Sequence, residues 1–287
     1  MSKVFLVTGS ARGLGRHIAE AVLGAGHQLV ATARTPEQLA DLVDRYGDRI
    51  RPVALDVTDV AGAEAAVRTA VDAFGRLDVV VNNAGYANLA STEDITAEDF
   101  RAQVDTNLFG VVNVSRAALP VLRAQGSGHI IQVSSLGGRM ATAGLSAYQA
   151  SKWAVGGFSE VLAQEVAPLG IRVTVLEPGG MRTDWAGSSM AIPPISEPYR
   201  QTVGVVAKML RSGTGNAAGD PAKVAQVVLT VADLDQPPVR LLLGTDAVNY
   251  AAQAGRTRAE TDAQWRTLSV STNHDDVTAA ELDPLNS

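Results

Sequence analysis

Tyr148 and Lys152 stand four residues apart in the stretch Ser135–Lys152, SLGGRMATAGLSAYQASK. That spacing puts both side chains on one face of a helix, about one turn apart. A tyrosine hydroxyl is a poor proton donor or acceptor at neutral pH because its ordinary pKa is about 10. A cation held beside it favours the phenolate and would lower that pKa, which would make the pair a usable acid/base. Alone, Tyr-x-x-x-Lys is also what an exposed helical pair looks like, so its meaning depends on the elements that carry it.

Those elements alternate. Val4–Val7 reads as a short buried strand, and Thr8-Gly9-Ser10-Ala11-Arg12-Gly13-Leu14-Gly15 as a glycine-rich turn. Leu14, Ile18 and Val22 then recur at helical spacing, with Gly24 and Gly26 closing the helix. A strand, a glycine turn and a helix N-terminus together can cradle a pyrophosphate. Leu29–Ala33 is predicted as the second strand, and Pro36 opens the next helix. Pro52–Leu55 is the third strand, ending in Asp56-Val57, with Thr58 as the N-cap of a helix that runs to Phe74. Asp78–Val81 is a strand that ends in Asn82-Asn83-Ala84-Gly85. Asp99–Ala124 reads as one long helix with Asn107 in its middle. Ile130–Val133 is a strand with Ser134-Ser135 at its end, Ala147–Ala167 a helix, and Arg172–Leu176 a strand leading into Pro178-Gly179-Gly180-Met181-Arg182-Thr183. Residues 184–219 read as a loop-like lid with apolar Trp185, Met190 and Tyr199; Pro221 opens a helix and Val239–Leu243 is the last strand. The alternation implies an α/β fold, a doubly wound Rossmann-type parallel sheet of about seven strands with helices on both faces. Residues 1–244 form one expected domain. Residues 245–287 are a C-terminal extension, helical over Asp246–Leu268 and then loose.

Composition narrows the function classes. Of 287 residues, 46% are hydrophobic and 19% charged, with a net charge of −6, ample for a core and against a nucleic-acid footprint. There is no cysteine, hence no disulfide, thiolate metal site or cysteine nucleophile, and the cytoplasm is the expected compartment. The apolar run after Met1-Ser2-Lys3 is too short for a signal peptide, and no run approaches a membrane span. The four histidines show no metal-ligand spacing, so no metal is expected.

Taken together, Thr8-Gly9-x-x-x-Gly13-x-Gly15, Asp56-Val57, Asn82-Asn83-Ala84-Gly85, Asn107, Ser135, Tyr148-x-x-x-Lys152 and Pro178-Gly179-x-x-x-Thr183 resemble the short-chain dehydrogenase/reductase family over roughly residues 3–244. Each motif is weak, but all of them in this order are specific. The resemblance implies that Tyr148 is the acid/base, that Lys152 holds a nicotinamide ribose and lowers the tyrosine pKa, and that Ser135 bonds the substrate oxygen. Ser135 is preferred to Ser134 because it lies thirteen residues before Tyr148, as in the family. Asn107 would interrupt its helix and support a water that links Lys152 to solvent. Gly9, Ser10, Arg12, Gly13, Leu14 and Gly15 would form the pyrophosphate turn. Asp56 and Val57 would face the adenine, Asn83, Ala84 and Gly85 would line the adenosine side, and Pro178, Gly179, Met181 and Thr183 would flank the nicotinamide.

In NAD-using relatives an acid ends the second strand; here that position is Ala33, followed by Arg34, with Arg12 in the glycine turn. Two cations aimed at one site match a 2′-phosphate, so NADP(H) is favoured over NAD(H). The expected activity is NADP(H)-dependent interconversion of a carbonyl and an alcohol, with an apolar small-molecule substrate. The order along residues 178–184 is similar to the hydroxysteroid-dehydrogenase-like branch. Two other readings stay open: a catalytically silent NADP-binding regulator, and a reductase of a carrier-bound acyl chain with Arg182, Arg200, Lys208 and Arg211 as its basic surface. A sugar-nucleotide epimerase fits less well, since its usual glycine spacing and larger C-terminal domain are missing. Family members usually pair through the two long helices, so a homodimer is expected, with the extension covering the surface through which others form tetramers.

Overall fold

Strand faces decide the architecture. Along β1 (Val4–Val7), Phe5 and Val7 enter one apolar cluster while Val4 and Leu6 enter another, as the two-residue period of a strand buried on both faces requires. The computed structural model describes residues 2–183, 190–213 and 217–283. Its seven strands are β1, β2 (Gln28–Ala33), β3 (Ile50–Ala54), β4 (Val79–Asn82), β5 (Gly128–Val133), β6 (Ile171–Pro178) and β7 (Arg240–Leu243). All pair in parallel in the order β3-β2-β1-β4-β5-β6-β7.

The Phe5 side is covered by α1 (Gly13–Gly24) and α8 (Pro221–Asp233), and α2 (Ala40–Tyr46) adds Leu42 to it. On the Val4 side lie α3 (Val60–Phe74), α5 (Gly110–Gln125) and α6 (Ser146–Val166). The order reverses between β1 and β4, each continuing from the other's neighbour in opposite directions. That switch point opens a crevice at the carboxyl ends of the strands, where ligands of such sheets bind.

The structure departs from the sequence reading at several places. The third strand starts at Ile50 and carries Pro52, which an edge strand tolerates because one row of its N–H groups faces no partner. Asp59, not Thr58, caps α3: its carboxylate accepts from Ala61 N at 3.0 Å, while the Thr58 hydroxyl donates to Asp56 at 2.8 Å. The stretch expected as one helix is α4 (Ala97–Val104), a π turn over Asp105–Phe109, and α5; it starts early because Thr96 caps it at Asp99 N. The lid contains a helix, α7 (Val203–Gly213), whose Val203 and Ala207 bury against Leu89, Leu145 and Met190. Trp185 lies outside the described residues. Beyond β7, α9 runs from Thr245 to Val270, and a short α10 spans Ala279–Leu282.

Candidate active site

At the switch point, β1 ends in a turn whose glycines have separate duties. Gly9 and Gly13 have φ of 68° and 54°, a region that side chains rarely adopt. A Cβ on Gly15 would stand 2.1 Å from Gly9 O, so α1 starts as close to the turn as a bare backbone allows. Arg12, Gly13, Leu14 and Gly15 line the cleft with Gly9. Ser10 does not. It is fully buried, its N–H donating to Thr32 O at 2.8 Å and its hydroxyl to Val7 O at 2.9 Å, so it braces the turn from behind.

The β4 end is stitched to the same turn. Asn83 Nδ2 donates to Thr8 O at 2.9 Å, and the N–H groups of Asn83 and Ala84 both donate to the Thr8 hydroxyl oxygen, at 2.9 and 3.0 Å. Asn83, Ala84 and Gly85 therefore form one wall, facing Arg34, Asp56 and Val57 from β2 and β3. Asp56 sits below the usual carboxylate range because it accepts from the Thr58 N–H and hydroxyl. Arg12 and Arg34 are exposed, and neither enters a salt bridge among the described residues.

Further along, β5, the π turn and α6 bring together the proton-handling groups. Ser135 Oγ accepts from Gly137 N at 3.0 Å, capping the loop it starts, and lines the cleft together with Tyr148. Lys152 is 4% exposed; its Nζ donates to Val133 O at 2.8 Å and lies 5.8 Å from the centre of the Tyr148 ring. Asn107 is fully buried within the π turn, so it supports the cleft wall instead of lining it. Its amide grips the backbone of Tyr86, donating to the carbonyl at 2.8 Å and accepting from the N–H at 2.9 Å. Gly85 keeps the three close: a Cβ there would stand 2.9 Å from Asn107 Oδ1 and 3.6 Å from Lys152 Nζ.

The electrostatics differ from the expectation. Burial pushes the Tyr148 hydroxyl up to about 12, partly opposed by the Ser135 hydrogen bond, and burial pushes Lys152 down to about 8. The Lys152 ammonium donates to the Val133 carbonyl at 2.8 Å, and burial is the largest influence on the tyrosine.

The remaining wall is Pro178, Gly179, Met181 and Thr183, all on a cleft of about 760 Å³ that also exposes Met140, Leu145 and Gln149. Sequence reasoning missed Asp246 and Tyr250 on this wall. The signal was their place just past the last strand, at the sheet edge where every other site residue lies. Arg182, considered as part of a basic surface, instead donates through Nε to Ala217 O at 2.8 Å. No helix among the described residues is long and apolar enough to cross a membrane.

Comparison with known proteins agrees with this arrangement. Residues 3–191 match the family model described as short chain dehydrogenase. Oxidoreductase BOA17 of Botryotinia fuckeliana is 58% identical over 271 residues, 94% of this chain and 99% of that protein. A solved short-chain dehydrogenase from Streptomyces avermitilis superposes with a TM-score of 0.89 at 37% identity, covering 96% of this chain and 100% of that one. An alcohol dehydrogenase from the archaeon Thermococcus sibiricus, solved with 5-hydroxy-NADP, gives a TM-score of 0.70 at 26% identity over 85% of this chain and 96% of its own. With its Rossmann-type sheet and these relatives, the chain belongs to the short-chain dehydrogenase/reductase family and is an oxidoreductase of that family.

Proposed function

We propose that this protein is an NADP(H)-dependent carbonyl reductase or alcohol dehydrogenase, with residues 1–244 as its catalytic domain. The observation that carries the reading is the convergence of Ser135, Tyr148 and Lys152 on the cleft that the glycine turn opens. Solved family members hold one or other nicotinamide, 5-hydroxy-NADP in one and NADH in another. The cleft suits such a group: Gly9, Gly13 and Gly15 leave a concave backbone where side chains would intrude, and Arg12 and Arg34 stand at the adenosine end with no salt bridge among the described residues.

A bound nicotinamide supplies or accepts hydride. The chain's residues do the rest. Tyr148 Oη gives its proton to the carbonyl oxygen in reduction and recovers it in oxidation. The Ser135 hydroxyl donates to the same oxygen as charge develops there. The tyrosinate left behind is favoured by the ammonium of Lys152, which the Val133 carbonyl holds 5.8 Å from the centre of the Tyr148 ring. Apolar Met140, Leu145 and Met181 would face the substrate body.

We further infer a homodimer through α4–α5 and α6, on which Phe109, Trp153 and Val161 stand 52%, 42% and 57% exposed. The function is tested by following NADPH consumption against ketones, aldehydes and quinones. Turnover of at least one class is expected; tight NADPH binding with no turnover of any would favour the silent regulator.

A further inference from the structure

The C-terminal helix takes no part in the chemistry above, yet it closes one wall of the cleft. α9 packs through small residues: Ala247 is buried and Ala251 and Ala254 half-buried, so the helix axis can come close. Two anchors fix it. Asp246 accepts from Gly180 N at 2.8 Å, and its carboxylate fills the space a Cβ on Gly179 would need, 2.2 Å from that position. In the first turn of α9 the carboxylate also suits the positive end of the helix. Three turns on, Arg258 donates to Arg139 O and stacks on the Trp153 ring at 4.4 Å. The helix is thereby tied to the Gly179–Gly180 turn at one point and to the loop that follows Ser135 at the other.

Between the anchors, one turn beyond Asp246, Tyr250 lines the cleft with 53% of its surface exposed. Met140, Leu145 and Met181 line the same cleft. An aromatic ring on a doubly anchored helix offers flat apolar area at small entropic cost, having only two side-chain torsions to fix.

We propose that α9 is a fixed wall of the substrate site and that Tyr250 is a specificity-determining residue, its ring covering the planar apolar body of a carbonyl substrate. The inference rests on the cleft being a carbonyl site, as proposed above. It is tested by calorimetric titration of NADPH-loaded Tyr148→Phe protein, in which hydride transfer is expected to be slow on the timescale of an injection, with 1-tetralone and with cyclopentanone. Adding Tyr250→Ala is expected to weaken tetralone about tenfold relative to cyclopentanone, and Tyr250→Phe to stay within about twofold. Arg258→Ala, which frees the far anchor, shifts the same ratio in the same direction. Retained NADPH binding shows that the fold survives. Equal loss for both ketones, no loss, loss of NADPH binding instead, or no tetralone binding to the Tyr250 protein would each overturn the proposal. Failure of every carbonyl to be turned over would defeat the functional reading while leaving a Tyr250-dependent tetralone affinity standing.

Discussion

Ser135 Oγ accepts from Gly137 N at 3.0 Å, and its hydroxyl lowers the Tyr148 pKa against the upward push of burial. One side chain therefore caps a loop and meets the acid. Because Ser135 Oγ already accepts a backbone proton, its own proton is free to be donated, which is the direction that favours a tyrosinate and later a substrate oxygen. The loop end of β5 and the first turn of α6 thus meet at the cleft.

The lysine sets an upper pH limit. Burial holds Lys152 near 8, so its ammonium is present below that pH and lost above it, while Tyr148, held near 12, stays protonated throughout. The kcat/KM for carbonyl reduction is expected to fall about tenfold per pH unit above pH ~8. In Lys152→Arg, whatever its absolute rate, that fall should move above pH ~10, because guanidinium does not titrate there. A parent profile flat to pH ~10 would mean that another group carries the charge.

Cofactor choice is predicted to rest on Arg34. If its guanidinium meets a 2′-phosphate, Arg34→Ala weakens NADPH by about tenfold or more and leaves NADH within about twofold, since a charge-assisted contact is worth about 1.5–3 kcal/mol. Fluorescence titration with both cofactors reads this directly. Equal effects on the two would return Arg34 to the status of surface charge.

A buried carboxylate beneath the site should matter to stability. Glu177, fully buried at the end of β6, accepts from Arg139 Nη2 at 2.8 Å and from Arg240 Nε at 3.1 Å, and Arg240 also reaches Glu160 at 2.9 Å. Arg240→Ala removes one counter-charge from a group that cannot be solvated, so a loss of about 3 kcal/mol is expected in urea unfolding. The double variant Glu177→Gln/Arg240→Met, which removes the buried carboxylate together with Arg240 and leaves only the part-exposed Arg139 and Glu160 charged, should lose less. A single variant within about 0.5 kcal/mol of the parent would show that Arg139 alone suffices.

Acid should destabilise the fold through His129. Thr174 Oγ1 donates to Pro238 O at 2.9 Å and so accepts from His129 Nε2, 3.0 Å away, leaving Nδ1 unprotonated and without a partner among the described residues. Burial pushes this imidazole down to about 3. Its folded value thus lies below the unfolded ~6.5, so its contribution is complete above pH ~6.5 and declines as pH falls toward ~3, by about 1.4 kcal/mol per pH unit. His129→Gln should lose about 2 kcal/mol less than the parent between pH 7 and pH 5, measured by urea unfolding. Parallel losses would point to other carboxylates or to His27.

Much of this was legible in the chain. Period-two and period-3.6 apolar patterns gave the strand–helix alternation, and spaced polar residues at strand ends gave the cleft. Asn107 was read as a helix interruption, and a π turn stands there. What escaped was tertiary. Asp246 and Tyr250 belong to a largely polar helix whose packed face is only Ala247, Ala251 and Ala254, so the closeness of Gly179 and Gly180 is what reveals their place. Ser10 sat among cleft residues in sequence but points inward, because a turn exposes alternate positions to opposite sides. Helix α7 was obscured by Pro193, Pro194 and the glycines around it. The burial that raises the Tyr148 pKa, and the Val133 carbonyl that receives the Lys152 ammonium, could not be read from spacing.

The most direct test of the proposed chemistry removes one oxygen. Single-turnover oxidation of bound NADPH by a carbonyl that the parent reduces is compared with that in Tyr148→Phe, with NADPH affinity measured alongside. Loss of the proton donor is expected to slow hydride transfer by about 100-fold or more while NADPH still binds. A Tyr148→Phe protein that reduces the carbonyl at the parent's rate would contradict the assignment of Tyr148 as the acid.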